Sequence, residues 1–195
     1  MNKDLIFIEY FIKIFPKYIK KIWVYKNDIT ISLKNKNNND FLNIFKCLKN
    51  HYHFYFKQLV DITAIDYLSN FSRFSLYYNL LNILKNKRLF IKYDIFLSKT
   101  KYINYNISLI TLYNSSIWLE REIWDMYGII FFGNTELRRI LTDYGFKGHP
   151  LRKDFPLVGF LELNFNILTK TLQYVPIELS QDYRKFYFIS AWENI

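Results

Sequence analysis

Hydrophobic positions along this chain fall into blocks with two periods, one near 3.6 residues and one of 2, and the blocks predict the elements. Residues 4–20 carry apolar groups at helical spacing, interrupted by Glu9 and Lys13, with Pro16 bending or ending the helix. Ile22–Tyr25 and Ile29–Leu33 flank Lys26-Asn27-Asp28, which reads as a hairpin. Residues 34–40, rich in asparagine, read as a loop whose last residue, Asp40, can cap the next helix. That helix runs to about His51, with Phe41, Ile44, Phe45 and Leu48 on one side. Three strands follow: Gln58–Tyr67, an alternation through Phe74, Leu76, Tyr78 and Leu80, and another through Leu89, Ile91, Tyr93, Ile95 and Leu97, the last two joined across Lys85–Arg88. Asn114, Ser115 and Ser116 offer caps to a helix whose apolar face holds Leu119, Ile123, Met126 and Tyr127 and which should stop at Gly128. Thr135–Tyr144 allows one more short helical segment, Gly145–Gly159 has neither period, and residues 160–166 and 171–177 suggest a last hairpin before an aromatic tail, Tyr183–Trp192.

Hairpin-linked strands with few crossovers imply a largely antiparallel or mixed sheet with helices on one face. The expected fold class is α+β: a two-layer α/β domain of order α-β-β-α-β-β-β followed by a helix, with an extended C-terminal arm containing the hairpin. Residues 1–128 form the domain in this reading, and 129–195 the arm. No stretch approaches the ~20 apolar residues a membrane span needs.

Charge divides the chain. Residues 1–100 hold 17 Lys+Arg against 7 Asp+Glu, whereas residues 101–195 hold 10 of each. Five of the seven arginines fall in the second half, most of them a few positions from a carboxylate. Arginine's planar fork suits bidentate pairing at buried or interfacial sites. The segment from Glu120 to Pro156 also holds four of the five glycines, so its backbone is shaped along with its charges. Arg121 and Asp125, spaced i,i+4, are expected to pair on a charged helix face.

The order of residues in this segment resembles the signature of the 30 kDa subunit family of respiratory complex I, the NADH dehydrogenase subunit 9 family. Three blocks carry the resemblance. They are Glu120-Arg121-Glu122-x-Trp124-Asp125-Met126-Tyr127-Gly128-Ile129, Leu137-Arg138-Arg139-Ile140-Leu141-Thr142-Asp143-Tyr144-Gly145-Phe146, and Gly148-His149-Pro150-Leu151-Arg152-Lys153-Asp154-Phe155-Pro156-Leu157. It extends more loosely to residues 57–112 and 159–193 and fades in the first fifty. The family pattern has His or Lys after the glycine at 133, where this chain has Asn134.

The resemblance implies a non-catalytic structural subunit of a proton-pumping NADH:ubiquinone oxidoreductase, an enzyme as a complex, with no active site in this chain. It implies a place in the hydrophilic arm against the 49 kDa-type quinone-site subunit and neighbouring iron–sulfur subunits, with FMN, clusters and ubiquinone held by other chains. The expected interface comprises Glu120, Arg121, Glu122, Trp124 and Asp125 on the helix, then Arg138, Arg139, Asp143 and Tyr144. It continues through His149, Pro150, Leu151, Arg152, Lys153, Asp154, Phe155 and Pro156. Residues 145–159 are expected to stay unordered in the free chain and to order along the partner. The composition favours residues with A/T-rich codons, and the first twenty residues lack the Arg and Ser of a transit peptide. Both fit an organelle-encoded protein, and the resemblance implies a place on the matrix side of the mitochondrial inner membrane.

The residues themselves offer little chemistry. One cysteine, Cys47, excludes an internal disulfide and an all-cysteine iron–sulfur cluster, and its helical, apolar setting reads as an inert thiol. His51 and His53 have no third ligand in view and read as surface histidines. The glycines fit neither G-x-G-x-x-G nor a P-loop. Each carboxylate of the signature has a Lys or Arg within four positions, which favours paired over catalytic acids. No catalytic, cofactor-binding or metal residue is expected in this chain. The alternative from residues alone is a basic organellar RNA-binding or ribosomal protein, suggested by a pI of 9.5 and 21% aromatics. The spread of lysines over several elements and the lack of an RNP-type motif count against it, so no nucleic-acid partner is expected.

Overall fold

A computed structural model of the chain describes residues 3–26, 28–34, 38–70, 72–95, 104–181, 183, 184 and 186. It forms two compact units, Met1–Phe155 and Pro156–Ile195.

In the first unit, α1 (Lys3–Ile14) is followed by a hairpin of β1 (Ile19–Tyr25) and β2 (Asp28–Leu33), and then by α2 (Asn38–Asn50). Pro16 stops α1 earlier than the periodicity alone predicts, because it has no N–H for the next helical bond. The residues freed start β1 at Ile19. Asp40 sits inside the first turn of α2 instead of capping it, where its charge meets the positive end of the helix dipole. Strands β3 (Gln58–Asp66), β4 (Phe74–Asn82) and β5 (Lys87–Ile95) follow. Leu97, expected in the last of these, lies outside the described residues.

The five strands make one mixed sheet in the order β1-β2-β5-β4-β3. Only β2 and β5 run parallel in it. Period-2 alternation decides which face is buried. Phe74, Leu76, Tyr78 and Leu80 pair with Ile95, Tyr93, Ile91 and Leu89, and β2 adds Ile29, Ile31 and Leu33 in register with Leu89, Ile91 and Tyr93. All are buried. α2 covers this face with Phe41 and Phe45, whose rings lie 5.6 and 5.1 Å from that of Tyr78. α1 closes it with Phe7 and Phe11 against Phe54. Cys47 is half-buried on α2, and burial pushes its thiol pKa up, away from the reactive thiolate.

After the sheet come β6 (Tyr105–Ile107), α3 (Ser116–Tyr127) and β7 (Ile130–Phe132), a small crossover in which β6 and β7 pair in parallel around the helix. These three-residue strands are too short to show a period, and the sequence does not announce them. The helical segment expected in Thr135–Tyr144 does not form. Those residues are turns and bends, and the amides of 140–142 go to the Asp125 carboxylate instead of to helical carbonyls. These bonds keep residues 129–155 in the first unit, so the unit boundary falls after Phe155 and not at Gly128. The second unit holds the expected hairpin, β8 (Leu161–Asn166) with β9 (Thr171–Pro176). Beyond residue 186 the aromatic tail lies outside the described residues. No described helix is long and apolar enough to cross a membrane.

Candidate partner interface

The signature begins on α3. Gly128 ends this helix in the left-handed conformation (φ 72°), with its N–H on the carbonyl of Trp124 at 2.9 Å. The last turn of α3 therefore delivers Asp125 into the protein, where it is fully buried. Its Oδ2 accepts the backbone N–H groups of Ile140, Leu141 and Thr142 at 3.2, 2.8 and 2.9 Å. Its Oδ1 accepts Arg139 Nη1 at 2.8 Å and Thr142 Oγ1 at 2.7 Å. Burial alone would raise the pKa of this carboxyl. The donors from Thr142, Leu141 and Arg139 outweigh burial and hold it below the ordinary Asp value. One carboxylate thus fixes the path of 139–142, and Arg139 passes the constraint on by donating Nη2 to the carbonyl of Gly148 at 2.7 Å.

Glu120, one turn earlier, is also fully buried. Ser108 Oγ (2.6 Å), the N–H of Leu109 (2.8 Å) and Asn134 Nδ2 (2.9 Å) donate to it. No cation joins them among the described residues, and burial holds its pKa above the ordinary Glu value against those donors. Asn134 therefore serves as a neutral donor to Glu120. Arg121 does not pair with Asp125. Its Nε donates to the carbonyl of Arg138 at 3.1 Å, and its guanidinium lies over the Trp118 ring.

The segment from Gly145 to Phe155 packs on its own unit. His149 Nδ1 donates to the Asp125 carbonyl at 3.0 Å, and its ring meets Trp124 edge-on. The imidazole pKa is lowered, first by burial, with Arg152 and Arg139 adding to it. Leu151 N–H bonds the Met126 carbonyl, and Arg152 Nε bonds that of Tyr127 at 2.6 Å. A Cβ on Gly128 would lie 2.3 Å from Arg152 Nη2 and 2.5 Å from His149 Nε2, so the glycine allows this approach as well as the helix stop. Gly148 (φ 127°) admits the Phe155 ring in the same way, at 2.6 Å from its absent Cβ.

The far end of the segment is clasped by residues the sequence did not single out. Asp66, at the end of β3, is buried and takes both Nε and Nη2 of Arg73, at 2.8 and 2.9 Å. Arg73 Nη2 also reaches Asp154 at 2.7 Å, and Asp66 accepts the N–H of Lys153 at 2.9 Å. The bond from Arg73 does most to hold the Asp66 carboxyl below the usual carboxylate range. Lys153 and Asp154 stand more than eighty positions from the corner that holds them, so no local spacing signals the clasp.

The expected interface therefore divides. Glu120, Arg121 and Asp125 are buried inside the chain, and Arg139, His149, Arg152 and Asp154 are bound to it. The expectation that 145–159 stays unordered without a partner is overturned for 145–155, because its own helix terminus and β3–β4 corner supply the hydrogen bonds. Glu122, Arg138, Asp143, Tyr144, Leu151, Lys153 and Pro156 remain exposed, while Trp124, Pro150 and Phe155 are half-buried. Tyr144 is 90% exposed, and Leu141 and Leu151 are more than half exposed. Among the described residues no group of three His, Cys, Asp or Glu could hold a metal ion.

Comparison with known proteins gives a consistent picture. Residues 35–161 match the family model described as respiratory-chain NADH dehydrogenase, 30 kDa subunit. The chain is similar to NADH-ubiquinone oxidoreductase subunit 9 of Acanthamoeba castellanii, 41% identical over 195 residues, covering 100% of this chain and 96% of that one. It is 40% identical over 184 residues to NADH-ubiquinone oxidoreductase subunit 9 of Reclinomonas americana, a match that covers 94% of this chain and 86% of the relative. Its fold resembles a chain in the membrane-bound sulfane sulfur reductase, an archaeal respiratory membrane complex, with a TM-score of 0.65 over 80% of this chain and 88% of that one, at 21% identity.

Proposed function

The chain belongs to the respiratory-chain NADH dehydrogenase 30 kDa subunit family, and on that premise we propose that it is a non-catalytic subunit of a proton-pumping NADH:ubiquinone oxidoreductase. It sits in the hydrophilic arm on the matrix side of the mitochondrial inner membrane, beside the quinone-site subunit, and supports electron transfer from NADH to ubiquinone by assembly and positioning. Flavin, clusters and quinone belong to neighbouring chains. One observation carries the reading: the signature's internal charges are consumed in holding residues 137–155 in one shape. That shape presents Leu141, Tyr144 and Leu151 outward among Arg138, Asp143 and Lys153. A rigid surface of aromatic and aliphatic side chains with a charged rim is how obligate interfaces are built. The second unit supports it. A two-stranded ribbon is too small to have a core, and Phe165, Ile167, Leu168 and Leu172 are each more than half exposed on it.

A tagged copy of the full chain, expressed in its own organelle or in that of a close relative, should co-purify with a membrane-bound NADH-oxidising complex. A chain recovered alone, or with ribosomes, would end this reading.

A further inference from the structure

At the end of β4 away from the Arg73 clasp, the β4–β5 turn presents Ile83 and Leu84 at 67% and 80% exposure. Large aliphatic side chains on a loose turn would mean little, but this turn is pinned. Asn82, 1% exposed, donates Nδ2 to the Phe54 carbonyl at 2.6 Å and accepts the N–H of Lys85 on Oδ1 at 3.0 Å. Lys85 Nζ donates to the His53 carbonyl at 2.7 Å, and Asn86 completes the turn with φ 46°. The backbone that carries these two exposed aliphatic side chains is thus fixed, so less ordering remains to be done when a partner binds.

Beside the turn is a groove of about 610 Å³, walled by Ile6, Phe7 and Tyr10 of α1 on one side and by His53, Leu84 and Lys85 on the other. Ile6 is 48% exposed along it. We propose that this groove receives an amphipathic helix of a partner subunit, apolar on the face it buries and acidic along its flanks.

Charge sets the partner's sign. The groove's own lining holds two lysines, Lys85 and Lys87, and no carboxylate. An acidic flank meets these cations, whereas a basic one is repelled. Backbone geometry sets the partner's form. Both edges of β4 and both edges of β5 are already paired within the sheet, so the turn has no strand edge for an extended segment to join. A channel between a helix side and an aliphatic turn fits side chains at i, i+3, i+4 and i+7 of a helix instead. The site lies at the opposite end of β4 from the signature, and it does not depend on the signature being an interface.

The test uses the full chain and a labelled model helix of about five turns, with leucines at i, i+3, i+4 and i+7 and glutamates on both flanks. A control peptide has lysines in place of the glutamates. Fluorescence anisotropy should show saturable binding of the acidic peptide, weakened at least about tenfold by Leu84→Glu and by high salt. Leu84→Ser should weaken it without adding charge, and circular dichroism should show both variants folded, since the side chain is exposed. Equal binding of the two peptides, no binding of the acidic one, or full affinity in L84E would overturn the proposal. A preference for phosphatidylglycerol vesicles over the peptide would assign the groove to a lipid surface and overturn it too. In the assembled oxidoreductase, hydroxyl-radical oxidation of Leu84 should fall well below that in the free chain, and equal oxidation would count against any partner there.

Discussion

Replacing Asp125 with asparagine keeps the shape of the side chain and removes its charge. In the folded chain five donors converge on that carboxylate, and asparagine has one oxygen to offer them. If the oxygen stays on the side of the three amides, Arg139 Nη1 faces an NH₂ group and the guanidinium loses its counter-ion. If it turns, three backbone amides are left without an acceptor. The first arrangement is the cheaper, because Thr142 can rotate its hydroxyl and the Arg139 side chain keeps 25% exposure. Hydrogen bonds to charged groups contribute about 1.5–3 kcal/mol each, and breaking a buried pair from one side costs about 3–5 kcal/mol. With typical stabilities of about 5–15 kcal/mol, the loss is a large share of the total. At roughly 2–4 °C per kcal/mol for a chain of this size, the melting temperature should fall by about 6–20 °C. The pH dependence carries the same information. A carboxyl held below its unfolded pKa adds stability that is present above the unfolded value and is lost as pH falls through the folded one. The acid limb of wild-type stability should therefore be steeper than that of D125N. Urea unfolding of the free chain, followed by tryptophan fluorescence from neutral pH to pH 2, reads both effects. A loss below about 1 kcal/mol, or parallel acid limbs, would show that the Asp125 cage does not hold the fold.

Glu120 has the opposite sign: its folded pKa is raised, so stability is highest below the unfolded Glu value and declines as pH rises through the folded one, and E120Q should flatten that decline in the same titration. Gly128→Ala must take a left-handed φ and push back Arg152 and His149; a cost of about 1–3 kcal/mol and faster tryptic cleavage after Arg152 are expected, and wild-type protection in the variant would contradict the close approach. Arg73→Gln should release Lys153 and Asp154 from the β3–β4 corner and raise the Asp66 pKa, visible as a shift in its carboxyl NMR titration. The purified full chain should absorb nothing in the visible region, and a stoichiometric flavin or iron–sulfur band would refute the assignment of those groups to other subunits.

The sheet was legible in the chain because its central strands are long enough to alternate. Phe74–Leu80 and Leu89–Ile95 give their buried face away residue by residue. The signature was legible as a unit, but the partners of Arg121 and Asp125 were not to be had from spacing. Arg121 and Asp125 stand i,i+4 on a helix and look like a pair, yet each is taken by backbone fifteen or so residues downstream. Spacing along a helix reports which side chains are neighbours and says nothing of a loop that returns to claim one of them. The parallel strands β6 and β7 escaped for want of length, and the Asp66–Arg73–Asp154 clasp for want of any local mark. In place of a helix at 135–144 there is a turn wrapped around a carboxylate, and amides satisfied from outside have no need of a helical carbonyl.

The parallel pairing of β2 with β5 orders events in time. Ile29 waits for Leu89, sixty positions further along the chain, and no nearer segment offers β2 a second edge. The α1–β1–β2 portion leaves the ribosome first but gains its docking site only when β5 has joined β4. Local hairpins close in microseconds, whereas distant pairing must first overcome the entropy of a long loop. The three-stranded meander β3–β4–β5 should accordingly gain protection from hydrogen exchange ahead of β1–β2 in a refolding pulse, even though synthesis delivers them in the reverse order. Until that moment the edge of β2 that pairs with β5 is open, and the interval in which it can take the wrong strand is set by how fast the middle of the chain is made.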